Sequence, residues 1–304
     1  MNPLSQMFSA GVALRNALYD RQALKSHKLR QPVVSVGNIS VGGSGKTPFV
    51  IALGQLLKER GVEFDVLSRG YGRKSKDISV VDPQGAPHEF GDEPLLIARA
   101  LHVPVIVGAD RYQGGLLAER QFSSRMHLLD DGFQHRRLHR SFDIVLLPEE
   151  DMRDTLLPVG RLREPLRSLA RADAVVLPPG VAAPAEARRV WRTTREIHAS
   201  STTQDVVAFC GIARPEQFFE GLRNVGKRLV DTVAFPDHHR YAQADIDRLI
   251  QRKLKSGAVG FVTTEKDAIN LGSLSVRLEP LESATLTLRL EDPQAAVAMV
   301  LEAL

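Results

Sequence analysis

The chain has 304 residues, enough for one large domain or two ordinary ones, and 43% of them are apolar against 25% charged, which excludes both a disordered tail and a membrane bundle. No stretch approaches the roughly 18 uncharged apolar residues that a spanning helix needs, and the uncharged run 174–185 is broken by Pro178 and Pro179. Forty Lys and Arg against 36 Asp and Glu give a net +4, which suits phosphate-bearing ligands or an anionic membrane without demanding either, and the single Cys210 excludes an internal disulfide and makes a reducing compartment the expectation.

In chain order, residues 1–30 place Leu4, Met7, Phe8, Val12, Leu14, Leu18 and Tyr19 at loosely helical spacing, with Arg15, Arg21, Lys25, Lys28 and Arg30 nearby. The pattern predicts an amphipathic helix with a basic exit. Gln6, Arg15 and Asn16 interrupt the apolar part, so a cleavable signal peptide is not expected. Two uses of the apolar face stand open: packing on the chain's own body, or docking on a membrane.

From Pro32 onward, short apolar runs alternate with helical segments, which predicts an α/β fold, a parallel sheet with helices on both faces. Strands are expected at Val33–Val36, Phe64–Leu67, Pro104–Val107, His127–Leu129, Asp143–Leu147 and Ala174–Leu177, with helices at Phe49–Arg60, Glu93–Ala100 and Arg111–Gln121. Composition turns to Pro, Gly and Ala around 178–184, then a charged helix is expected over Ala185–His198, followed by the polar stretch 199–204. That places a boundary between a larger unit, 31–203, and a smaller α/β unit, 204–304. The smaller unit alternates through Val206–Cys210, Pro215–Leu222, Leu229–Ala234, Asp245–Leu254, Val259–Thr263 and Ser283–Leu290, and closes with a helix from Pro293.

The segment Val33-Val34-Ser35-Val36-Gly37-Asn38-Ile39-Ser40-Val41-Gly42-Gly43-Ser44-Gly45-Lys46-Thr47 runs from a strand through a glycine-rich turn into a helix. Glycines let the backbone turn its N–H groups onto a polyphosphate, the helix N-terminus adds partial positive charge, Lys46 reaches the terminal phosphates and the Thr47 hydroxyl suits Mg²⁺. Ser40 stands where the usual P-loop pattern has glycine, so this is a variant phosphate loop, with Ser40, Val41, Gly42, Gly43, Ser44, Gly45, Lys46 and Thr47 as the nucleotide-binding candidates. His127-Leu128-Leu129 ends in Asp130 and Asp131, the acids expected to support the metal, with Asp130 the first choice. Dimeric ATPases with a similar loop carry a lysine at the position of Val41, and GTPases carry Asn-Lys-x-Asp where the nearest segment here is Thr263-Thr264-Glu265-Lys266-Asp267, so both classes are disfavoured.

Three further clusters are unusually polar for connections. Arg69-Gly70-Tyr71-Gly72-Arg73 offers a close-approach backbone and two phosphate-binding guanidinium groups, or an exposed basic turn. In Gly91-Asp92-Glu93-Pro94, Asp92 is either a helix cap or a general base. In Phe235-Pro236-Asp237-His238-His239, His238 is either a surface or a functional histidine.

Taken together, SVGNISVGGSGKTP at 35–48, SRGYGR at 68–73, GDEP at 91–94, DDGFQH at 130–135, LLPVGRLREP at 156–165, FPDHH at 235–239 and TTEKD at 263–267 resemble the tetraacyldisaccharide 4'-kinases, the lipid A 4'-kinases of Gram-negative bacteria, over nearly the whole chain. Arg161 departs from the proline usual there. The resemblance implies ATP- and Mg²⁺-dependent phosphorylation of the 4'-hydroxyl of a tetraacylated glucosamine disaccharide 1-phosphate, giving lipid IVA. It implies two P-loop-like α/β domains with the site in the cleft between them, and a monotopic enzyme on the cytoplasmic face of the inner membrane. Asp92 is then the base, paired with His238, while Arg69, Tyr71, Arg73, Gln134, His135 and Arg163 are candidates for headgroup or phosphate contacts. The expected partners are the membrane-embedded acylated disaccharide phosphate and an anionic membrane surface, with no nucleic acid and no obligate protein partner. A metallochaperone-type or assembly-switch NTPase is the rival, though the scattered histidines and one cysteine supply no metal-delivery motif.

Overall fold

Asn38 closes a six-residue strand, β1 (Val33–Asn38), whose every residue is buried, as expected for a strand covered on both faces. In this computed structural model, which describes residues 3–200 and 204–304, the chain begins with helix α1 (Pro3–Asp20). After β1 come α2 (Lys46–Glu59), β2 (Phe64–Ser68), a short β3 (Ser79–Val80), the single turn α3 (Pro87–Phe90), α4 (Asp92–Leu101), β4 (Val105–Val107), α5 (Arg111–Gln121), β5 (Met126–Asp130), β6 (Phe142–Leu146), β7 (Ala174–Leu177) and β8 (Val190–His198). The remainder is β9 (Asp205–Cys210), α6 (Pro215–Asn224), β10 (Arg228–Ala234), α7 (Gln243–Ser256), β11 (Gly260–Thr264), α8 (Glu265–Leu271), β12 (Leu281–Leu290) and α9 (Pro293–Glu302).

The strands form a sheet in the order β10-β9-β11-β12-β8-β7-β6-β1-β5-β2-β4-β3. Strands β7, β6, β1, β5, β2 and β4 run parallel, as do β10, β9, β11 and β12. The connection from β1 leads through α2 to β2 on the β5 side, whereas β5 connects to β6 on the other side of β1, and this reversal opens a crevice at the carboxyl end of β1. The register Val36↔Asp130 sets Asp130 beside the exit of β1.

One core cluster joins Phe49, Leu53 and Leu57 of α2 to Val34, Val36 and Leu128 beneath and to Leu288, Val297 and Val300 from β12 and α9. Each of these fully buried side chains contributes about 1.5–3 kcal/mol by leaving water. Since α2 begins at the phosphate loop, packing from both halves of the chain fixes where that loop stands.

The charged helix expected over 185–198 is instead β8. Period-two burial decides it: Trp191 and Thr193 face inward while Arg192, Thr194 and Glu196 alternate onto the other face, where Arg289 of β12 pairs with Glu196 at 3.0 Å. β8 pairs parallel with β7 and antiparallel with β12, so it joins the two halves of the sheet. The expected boundary at 203 falls within 201–203, outside the described residues. β3, α3 and α8, at two, four and seven residues, are too short to show a periodic pattern in the sequence.

The helix expected within 1–30 ends at Asp20, and residues 21–30 continue without helix. Its orientation is informative. The polar side holds the body: Ser5 Oγ donates to Leu156 O at 3.2 Å, Asn16 Nδ2 donates to Glu164 at 2.8 Å, and Asp20 accepts from Arg136 at 2.6 Å. Leu4, Met7 and Leu14 are 59%, 73% and 62% exposed, whereas Phe8, Val12, Leu18 and Tyr19 are half-buried. Among the described residues no helix is long and apolar enough to cross a membrane.

Candidate active site

The turn after β1 is pinned at its start and open at its end. Val41 N donates to Arg161 O at 2.8 Å and Arg161 Nη2 donates back to Val41 O at 2.9 Å, so the residue that replaces proline clamps the loop. Gly42, Gly43 and Gly45 have φ of 68°, 53° and 84°, the left-handed region that side chains avoid. Gly45 precedes α2 and supplies no side-chain cap, which leaves the first amides of the helix available to an anion. A Cβ on Gly42 would meet Ala213 at 3.0 Å, so the loop 211–214 forms a roof over it.

Lys46 and the two acids share this end of the sheet. Lys46 Nζ lies 3.4 Å from Asp131 Oδ1 and donates to Asn38 Oδ1 at 3.2 Å. Arg163 grips Asp131 with both terminal nitrogens, at 2.9 and 3.1 Å. Burial pushes Asp131 toward protonation, but Lys46 and Arg163 outweigh it and hold the carboxyl well below the usual range. Asp130 behaves oppositely: burial, then the charges of Glu93 and Asp131, raise it to about 7 against Lys46 and a 3.1 Å hydrogen bond from Ser68. Its Oδ1 is buried with no hydrogen-bond partner. A carboxylate with one uncommitted oxygen, lining the same cavity as Thr47 at the start of α2, fits a hard divalent cation that keeps water and phosphate among its ligands.

A cavity of about 1210 Å³ opens over the loop. Residues 41–47, Arg69, Tyr71, Glu93, Asp130, Asp131 and Arg163 line one side, and Arg214, Asp237, His238, Glu265 and Lys266 line the other. Gly91, at φ 93°, turns the chain sharply into α4 and so places Asp92 in its first turn, behind this wall. Asp92 Oδ2 lies 3.0 Å from His238 Nδ1 and accepts from Asn270 Nδ2 at 3.0 Å. Burial would raise its pKa, but the His238 hydrogen bond, Lys266 and Asn270 bring it down to about 2. His238 loses basicity to burial and regains more from Asp92, so it titrates above the ordinary histidine value. The Tyr71 ring lies 5.0 Å from the imidazole.

Besides Asp92, four candidates lie outside the cavity wall. Ser40 is buried and donates to Asp151, beneath the loop rather than in it. Arg73 bends back to Asp77 O and Ser79. Gln134 donates to Asn38 O at 2.9 Å and to Glu164 at 3.2 Å, bracing the strand exit. His135 is pushed down to about 4 by burial and by Arg111 and Arg140. Lys266, Asn270 and Asp237 join the site through contacts to His238, Asp92 and one another. The TTEKD segment was visible in the sequence, but nothing local announced that its lysine would face His238.

A sequence model of the Tetraacyldisaccharide-1-P 4'-kinase family matches residues 1–304. A tetraacyldisaccharide 4'-kinase from Koribacter versatilis is 53% identical over 315 aligned residues, covering 99% of this chain and 98% of its own. One from Aquifex aeolicus is 41% identical over 289, covering 88% of each. A crystal structure of LpxK from Aquifex aeolicus in complex with ATP superposes with a TM-score of 0.82 at 36% identity, covering 99% of this chain and 97% of the other.

Proposed function

We propose, from the premise that the chain belongs to the tetraacyldisaccharide-1-phosphate 4'-kinase family, how this cleft performs the family's reaction. The chain is an ATP-dependent kinase of lipid A biosynthesis: it transfers the γ-phosphoryl group of ATP to the 4'-hydroxyl of a tetraacylated glucosamine disaccharide 1-phosphate, forming lipid IVA. The observation that carries the assignment of roles is that the phosphate loop and His238 face each other across one cavity.

The amides of 41–47 and the Lys46 ammonium bind the triphosphate and are aimed where charge develops on the transferring group. Thr47 and Asp130 would hold Mg²⁺, which when bound neutralises charge on the β- and γ-phosphates. Asp131 has both oxygens committed to Lys46 and Arg163 and acts by holding those cations in place. As the 4'-oxygen attacks, its proton passes to the Asp92–His238 pair, of which His238 stands on the cleft wall and Asp92 behind it. Arg69, Tyr71 and Arg163 are the candidates left to meet the headgroup, since they line the cavity.

The lipid's location follows from its chains. Each buried CH₂ is worth about 0.8 kcal/mol, so several acyl chains of roughly ten carbons do not leave a bilayer for a protein cleft. We infer that α1 brings the enzyme to the cytoplasmic face of the inner membrane. In support, Met7 and Leu14 face outward while Asn16 anchors the helix to Glu164, the neighbour of Arg163. The units 31–203 and 204–304 are read as two lobes whose closure completes the cleft.

The test is incubation of the protein with γ-labelled ATP and detergent-dispersed tetraacyldisaccharide 1-phosphate. Label entering the lipid is expected. Label released only as inorganic phosphate would favour the NTPase-switch reading instead.

A further inference from the structure

Lys266 is the second residue of α8, and its direction is set locally. Thr264 caps the helix by accepting from Asp267 N at 3.1 Å, which fixes the first turn. Asp267 then faces away from the cleft, accepting from Gly211 N and the Tyr241 hydroxyl, each at 2.9 Å. Lys266 faces into it, with 13% of its side chain exposed.

Around this ammonium stand three carboxylates and one imidazole. Nζ donates to Asp237 Oδ1 at 3.0 Å and lies 3.8 Å from Glu93 and 3.9 Å from Asp92. It lies 3.4 Å from His238 Nε2. Burial lowers the basicity of this lysine, but Glu93, Asp92 and Asp237 more than compensate, so it stays cationic.

The contact with Nε2 carries chemical information. A charged lysine has three donors and no acceptor, so it approaches a ring nitrogen favourably only where that nitrogen presents its lone pair. Nδ1 is then the protonated nitrogen, and it faces the Asp92 carboxylate.

We propose that Lys266 is a positioning residue for proton acceptance: held by Asp92, Glu93 and Asp237, its ammonium fixes His238 as the tautomer with Nδ1–H toward Asp92 and the Nε2 lone pair toward the cleft. This rests on the reading of the Asp92–His238 pair as proton acceptor. In the transfer step the 4'-hydroxyl takes the place of the ammonium at Nε2. Its proton passes to Nε2, its oxygen forms the new bond to phosphorus, and the bond from phosphorus to the β-phosphate oxygen breaks. Besides Lys266, the groups facing the imidazole are Asp92 and Glu93 from α4, Tyr71 from its loop, and Asp237 beside it.

The test is the pH dependence of kcat/KM in the full-length enzyme, for the native chain and for Lys266→Met, Lys266→Arg and His238→Ala. Removing the neighbouring positive charge makes the pair easier to protonate. Lys266→Met is therefore expected to move the acidic limb upward by about one pH unit, with kcat down about tenfold or more and KM for ATP little changed. Lys266→Arg is expected to return the limb toward its native position. An acidic limb that stays in place in Lys266→Met overturns the proposal. A limb that persists in His238→Ala overturns instead the underlying reading of the pair. If Lys266→Met fails to fold, ¹⁵N shifts of His238 in the native protein decide: the Nδ1–H tautomer supports the proposal, and the Nε2–H tautomer contradicts it.

Discussion

Asp92 and His238 are 146 residues apart in the chain, yet His238 Nδ1 lies 3.0 Å from Asp92 Oδ2, so one functional group is assembled from the first turn of α4 and the loop after β10. The imidazole pKa is raised by that contact, and the pair must give up its proton before it can accept another. Activity is therefore expected to fall as pH drops through a value above about 6.5, the ordinary histidine pKa. His238→Ala and Asp92→Asn are each expected to lower kcat by about 10²-fold or more while leaving KM for ATP nearly unchanged, since neither side chain belongs to the phosphate loop. Steady-state kinetics across pH checks both. A collapse of nucleotide affinity with high residual turnover would contradict the assignment.

Lys46→Ala is expected to lower kcat by about 10²–10³-fold, the usual effect of deleting one preorganised donor. The fold should survive, because Asp131 keeps both of its bonds to Arg163. Turnover measured alongside thermal unfolding separates the two effects.

The adjacent acids should differ. Asp130 has an uncommitted, buried Oδ1, whereas Asp131 is occupied by Lys46 and Arg163. Asp130→Asn is expected to raise the Mg²⁺ concentration for half-maximal activity by at least about tenfold. Asp131→Asn should chiefly lower kcat, by releasing the two cations. Mg²⁺ titrations of both variants distinguish these outcomes, and the reverse order would exchange the roles.

Met7→Glu combined with Leu14→Glu is expected to reduce sedimentation with anionic phospholipid vesicles several-fold. Both side chains are exposed, so the thermal midpoint should barely move. Unaltered vesicle binding would remove α1 from the membrane contact.

Gly37 is a packing position. A Cβ there would meet Phe133 Cβ at 2.6 Å and Phe133 N at 2.8 Å, where the turn after β5 crosses β1. Gly37→Ala is expected to cost about 1–3 kcal/mol, read from urea unfolding.

What the sequence revealed depended on how local the physics was. The phosphate loop and Asp130–Asp131 could be read because strand, turn and helix are contiguous and their glycines are required by positive φ. In sequence β8 resembles a helix, because its arginines and glutamate suggest a solvated face while the alternation placing Trp191 and Thr193 inward spans only a few residues. Ser40, Arg73, Gln134 and His135 sit within motifs whose other members line the cleft, yet their side chains turn elsewhere. A motif identifies a stretch of chain and leaves each side chain's direction to packing. Lys266 could not be placed, because its partners come from α4 and the loop after β10, which only the tertiary fold brings together.

The most direct measurement is a crystal structure of this protein soaked with a non-hydrolysable ATP analogue and Mg²⁺. The account predicts the β- and γ-phosphates on the amides of 41–47 and on Lys46, with the metal between Thr47 and Asp130. A triphosphate lodged elsewhere, with the glycine loop empty, would contradict it.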